Sequence, residues 1–118
     1  MTALLLPGQG SQYIGMTKDF HDEFAIARET FEKIENSVKI NLRDIIFNNK
    51  SELLNITKYT QLAIYSSSMC IFNVLQNEID IDKLFIKYSL GHSLGEYSAL
   101  TVSNVISVED CSILLKKR

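Results

Sequence analysis

The sequence predicts an α/β fold built on a parallel sheet, and three observations lead there. Two short apolar runs each end in a glycine-bearing turn, long stretches of helical periodicity lie between them, and the second turn opens directly into another helix. The first run is Ala3 to Leu6, ended by Pro7-Gly8-Gln9-Gly10-Ser11-Gln12; the second is Leu84 to Leu90, ended by Gly91-His92-Ser93-Leu94-Gly95. Strands separated by helices pair in parallel through right-handed crossovers, and two strands do not make a stable sheet by themselves.

Taken in order, Ala3 to Leu6 reads as a short buried strand, and the glycines of the following turn let backbone N–H groups come close to a partner. From Phe20, apolar residues recur at Phe24, Ala27, Phe31, Ile34 and Val38. With Glu23, Glu29, Glu32 and Lys33 on the other side, this is an amphipathic surface helix. His21 falls on its polar side, where a solvated imidazole is expected. A polar region around Asn48 to Glu52 links it to Thr60 to Gln76, whose Leu62, Ile64, Tyr65, Met69, Ile71, Phe72, Val74 and Leu75 leave little polar face and predict a buried helix. Ile79 to Lys83 breaks that pattern before the second strand. A helix then runs through about Val102, Ser107-Val108-Glu109-Asp110 resembles a capping box, and Ile113, Leu114 and Leu115 continue a last helix. There is no internal repeat and no low-complexity tract.

Composition narrows the function classes. A chain of 118 residues suits one small domain, and a net charge of −2 provides no basic excess for nucleic-acid binding. Cys70 and Cys111 have no metal-like spacing and fall among helix formers, so two buried free thiols and no metal site are expected. Leu4 to Leu6 is too short for a signal-peptide core, and no apolar stretch approaches the ~20 residues of a membrane span. The expected compartment is the cytoplasm.

The chemistry gathers at Ser93. G-x-S-x-G is a weak signal alone, but between a strand and a helix it is the pattern of a nucleophile elbow, where Gly91 and Gly95 avoid collision as strand and helix approach. The hydroxyl would project from the sheet's C-terminal edge, with the helix's first N–H groups and positive dipole end aimed at a developing oxyanion. The N–H of Leu94 is the natural donor. Adjacent residues at a sharp turn point apart, so His92 is not expected to pair with Ser93, and His21 is the only other histidine. The elbow therefore lacks a proton acceptor within this sequence.

Read in order, Pro7-Gly8-Gln9-Gly10-Ser11-Gln12, Thr60-Gln61 and Gly91-His92-Ser93-Leu94-Gly95-Glu96-Tyr97-Ser98-Ala99-Leu100 make the chain resemble the malonyl-CoA:acyl carrier protein transacylases. The resemblance implies that Ser93 takes the malonyl group from coenzyme A as an ester and passes it to the phosphopantetheine thiol of acyl carrier protein, a ping-pong transfer in fatty acid biosynthesis that needs no cofactor. It implies that Gln9 and the backbone of Leu94 line the oxyanion hole and that Gln61 sits near the serine. Arg118 falls where the family carries an arginine that forks onto the malonyl carboxylate. Lys116-Lys117-Arg118 also reads as the solvated basic end of a helix. Leu62 stands where the family usually has proline.

Family members are considerably longer. Residues 1–118 are expected to be the N-terminal part of the large subdomain, a truncated acyltransferase core resembling α/β-hydrolases. The ferredoxin-like small subdomain and the catalytic histidine would lie outside it, so little unaided turnover is expected. A start at Met1 just before the first strand is expected of a free-standing enzyme rather than a polyketide-synthase segment. Two other readings stay open: an α/β serine hydrolase, which shares G-x-S-x-G but uses other oxyanion loops, and a non-catalytic remnant or partner-dependent fragment. Oligomeric state and acyl-group preference are left open by the sequence.

Overall fold

Two strands leave the sheet's C-terminal edge side by side in the computed structural model, which describes residues 2–49 and 52–118. Strand β1 (Thr2–Leu6) pairs in parallel with β2 (Ile86–Gly91), and Leu6 stands opposite Gly91. The two glycine-bearing turns therefore start from neighbouring points. Between the strands come helices α1 (Lys18–Glu23), α2 (Ala25–Val38), α3 (Leu42–Asn48) and α4 (Thr57–Glu78), followed by a short 3-10 turn at Ile81–Leu84. After β2 come α5 (Gly95–Val102) and α6 (Val108–Lys117).

The α/β class with a small parallel sheet is as expected. Helix α4 is the spine of the core: every residue from Thr60 to Cys70 is buried, and Phe31, Ile34 and Val38 of α2, Leu42 and Ile46 of α3 and Leu115 of α6 join the same cluster. Past Val74 the helix emerges, and Leu75 is exposed.

Four expectations need correction. Strand β1 is covered on one face only, with Leu6 buried and Leu4 half-buried, because Leu5 pairs with Leu90 and Ala3 with Tyr88 on a face that no other element covers among the described residues; Leu5, Tyr88 and Leu90 are 73%, 51% and 53% exposed. The helix expected from Phe20 to Val38 is interrupted at Phe24, which is extended (φ −118°, ψ 121°). No glycine or proline marks that break. The Arg28 guanidinium produces a substitute cap by donating to the carbonyls of His21 (2.7 Å) and Asp22 (3.2 Å) at the end of α1. Third, α3 was not anticipated, although Asn41 caps it by accepting from the Asp44 N–H and Asn49 ends it in the left-handed region. The linker expected at Asn48 to Glu52 begins inside that helix, and its Lys50 and Ser51 lie outside the described residues. Finally, the second strand starts at Ile86, since Leu84 closes the 3-10 turn and Phe85 is left-handed.

Both thiols are free and buried, and burial pushes the Cys70 thiol above its usual range. Ser107 caps α6 by accepting from the Asp110 N–H at 3.1 Å, which is the serine half of the expected capping box. Among the described residues, no helix is long and apolar enough to cross a membrane, and no cluster of three potential ligands could hold a metal.

Candidate active site

Backbone sterics build the elbow. A Cβ at Gly91 would stand 1.9 Å from the Gly95 carbonyl oxygen, and one at Gly95 would stand 2.2 Å from that of Leu6. No side chain fits at either place, so strand, turn and helix close onto one another only with glycine there. Between them Ser93 has φ +55°, in the left-handed region that costs an L-residue roughly 1–2 kcal/mol. Such strain persists only where the surroundings hold it, and here it presents the serine to solvent. The turn is completed by bonds from the Gly95 and Glu96 N–H groups to the carbonyls of His92 and Ser93, each 3.0 Å.

Leu94 is fully buried, and its N–H donates to no other group among the described residues. The Leu94 nitrogen lies beside the first glycine turn. A Cβ at Gly8 would meet the His92 carbonyl oxygen at 2.4 Å and the Leu94 nitrogen at 3.8 Å, so the backbone of Gly8 lies directly against the elbow. This close approach brings Gln9 and Leu94, predicted to line one site, into one neighbourhood. Gln9 is exposed, with its amide 3.5 Å from the Thr57 hydroxyl at the start of α4. Gln61, in the first turns of that helix, is buried, yet its amide bonds to no other side chain among the described residues.

Arg118 is exposed at the end of α6, and its guanidinium stacks over the Tyr97 ring at 5.0 Å. Tyr97 belongs to the elbow helix, four residues past Ser93, so a cation–π contact ties the arginine to the element that carries the serine. The elbow helix is anchored from below as well. The Tyr65 hydroxyl bonds to that of Thr101 at 2.8 Å, and Thr101 donates to the Tyr97 carbonyl at 2.9 Å. Burial pushes the Tyr65 phenol far above its usual range, which keeps it a neutral hydrogen-bonding group.

Neither histidine meets the serine. His92 is exposed and makes no side-chain hydrogen bond among the described residues. His21 departs from its expected solvated place: its ring packs edge-on against Phe31 and Phe47, with Nδ1 3.1 Å from Asp22 and Nε2 3.5 Å from Arg43. A helix break and an unanticipated helix bring those groups around it. Arg43 in turn forks onto Glu35 at 2.6 and 3.0 Å, which raises the guanidinium pKa and links α3 to α2.

Sequence reasoning named Ser93, Leu94, Gln9, Gln61 and Arg118. It did not single out Gly8, whose contact with the elbow is signalled only by its place in a glycine turn beside a strand, nor Tyr97.

The acyl transferase domain family matches residues 4–117. The chain is 36% identical over 116 residues to a malonyl CoA-acyl carrier protein transacylase of Bacillus subtilis, covering 98% of this chain and 28% of that protein. Among solved structures, the malonyl CoA-acyl carrier protein transacylase of Clostridium perfringens superposes with a TM-score of 0.86 at 42% identity, over 98% of this chain and 35% of that one. A malonyl-transacylase in complex with a type II PKS acyl-carrier protein gives 0.86 at 32% identity, over 98% and 36%. The chain thus spans about a third of the length of the relatives it matches.

Proposed function

The chain belongs to the acyl transferase domain family, and from that premise we propose that Ser93 carries a malonyl group from coenzyme A to acyl carrier protein. The Ser93 hydroxyl attacks the thioester carbonyl, the carbon–sulfur bond breaks, and coenzyme A leaves as its thiol with a malonyl-seryl ester behind. The phosphopantetheine thiol of acyl carrier protein then attacks that ester, and Ser93 recovers its proton. Each step passes through an oxyanion, which the N–H of Leu94 and the Gln9 turn stabilise. Arg118, stacked on Tyr97, forks onto the distal carboxylate, and Gln61 lines the substrate side. Residues 1–118 are the N-terminal part of the large subdomain in this reading. The chemistry calls for no cofactor, and its setting is the cytoplasm.

The observation that carries the reading is the left-handed Ser93, held between two glycines that admit no side chain and beside a Leu94 N–H that donates to no group among the described residues. A hydrolase would share the elbow but would release free malonate. No side chain among the described residues stands ready to take the Ser93 proton, so acylation by this chain alone is expected to be slow.

The test uses radiolabelled malonyl-CoA. One label per chain is expected on the peptide Gly91 to Leu100, lost in Ser93→Ala and discharged onto added acyl carrier protein. Equal labelling of Ser93→Ala, or no label on the unaltered chain, overturns the reading. Release of free malonate without transfer supports the hydrolase instead.

A further inference from the structure

We propose that Gln12 and Asn55 form a positioning pair that holds the oxyanion turn of this site; the inference rests on the reading of Gln9 and Leu94 above. The turn from Pro7 to Gln12 belongs to no helix or strand, so its shape depends on what ties it down. One tie is internal: the Gly8 carbonyl accepts from the Ser11 N–H at 3.3 Å and from the Ser11 hydroxyl at 2.8 Å. Because the peptide is planar and trans, the Gln9 N–H on the other side of that unit points away from Ser11. The orientation of a candidate oxyanion donor is thus decided by where this turn sits.

Gly8 against the elbow and the Gln9 amide near Thr57 place its first half, and Gln12 places its second. Its amide oxygen accepts from the Gly10 N–H at 2.9 Å, and its amide nitrogen donates to Asn55 Oδ1 at 3.0 Å. One end grips the turn and the other reaches the segment that leads into α4. That segment is itself fastened: Leu54 is buried, its carbonyl accepts from the Thr60 hydroxyl, and the Ile56 N–H donates to the Leu53 carbonyl at 2.9 Å. The buried spine of the fold is in this way connected to a turn that has no regular structure of its own. Both amides are reached by solvent, so the bond adds little to stability while it selects one placement of the turn. Preorganised donors act through such placement.

The experiment measures the single-turnover rate of Ser93 acylation by malonyl-CoA, together with thermal unfolding. Gln12→Met and Asn55→Leu are each expected to slow acylation at saturating malonyl-CoA about tenfold. The half-saturating concentration and the unfolding midpoint should stay unchanged. The double variant should be no slower than either single one, and Asn55→Asp, which keeps the acceptor, should restore the rate. Unaltered rates in the single variants, additive losses in the double variant, or a rate loss that follows the unfolding midpoint overturns the positioning pair alone. An unaltered chain that takes no label overturns the acyl-serine reading and this inference together.

Discussion

The two glycine turns leave adjacent strands at the same edge of the sheet, yet they are held by different forces. In the elbow, Gly91 and Gly95 sit where an added Cβ would fall 1.9 and 2.2 Å from backbone oxygens, and the whole of Gly91 to Gly95 is set by what cannot fit. In the Pro7 to Gln12 turn, only Gly8 is crowded; nothing lies within 4 Å of a Cβ at Gly10, and side-chain amides do the fastening. Steric closure gives one conformation with a steep penalty for any other. Hydrogen bonds at a wet surface give a preferred placement at a shallow one. The nucleophile is carried by the steep construction and its candidate oxyanion turn by the adjustable one.

Substitutions can break that contrast. The largest effect is expected for Gly95→Ala, which drives a methyl group into the Leu6 carbonyl and pushes α5 off β1. A loss of about 3 kcal/mol, read by denaturant unfolding, is expected, and unchanged stability would show that the elbow is not sterically closed. Gly8→Ala meets the His92 carbonyl at 2.4 Å, but its turn can give way. It should cost about 1–2 kcal/mol and separate the turn from the elbow, so that Ser93 labelling falls about tenfold. A loss of stability as large as that of Gly95→Ala would erase the distinction between the two turns.

Ser93→Gly sharpens the comparison from the other side. Relief of the left-handed strain should raise stability by about 1 kcal/mol while labelling disappears; Ser93→Ala, which keeps the strain, should abolish labelling with no such gain. The smallest effect belongs to a contact remote from both turns. Hydrogen bonds from Lys18 and then His21 hold the exposed Asp22 carboxyl below its ordinary 3.8. A carboxylate with a lowered folded-state pKa stabilises above its unfolded pKa, and that contribution is lost as pH falls through the folded value. Asp22→Asn should therefore lower the unfolding midpoint slightly near neutrality and not at all in strong acid, and salt should shrink the difference.

Much of this was readable because it is local. The strand, elbow and helix around Ser93 follow from apolar runs meeting glycines at fixed offsets, and the burial of α4 from Thr60 to Cys70 follows from a helix with hardly any polar face. The break at Phe24 was not readable, because the group that ends α1 is Arg28, a residue of the next helix. Helix α3 had signals in Asn41, in the spacing of Leu42, Ile45 and Ile46, and in Asn49, but seven residues give a short period to detect. His21 looked solvated while only its own helix was considered; Phe47 and Arg43 come from α3.

By itself, then, the sequence determined the α/β order of the elements, the sharp strand-to-helix turn at Ser93 and the family to which these residues belong, since backbone sterics and periodicity act over a few neighbouring positions. Only the tertiary structure decided that Gln12 meets Asn55 across 43 residues, that Tyr65 meets Thr101 across 36, that Arg118 lies over Tyr97, and that Leu5, Tyr88 and Leu90 share an open face. Those meetings depend on how helices stack on α4 and how β1 registers against β2. Packing of that kind leaves no local trace in a single chain.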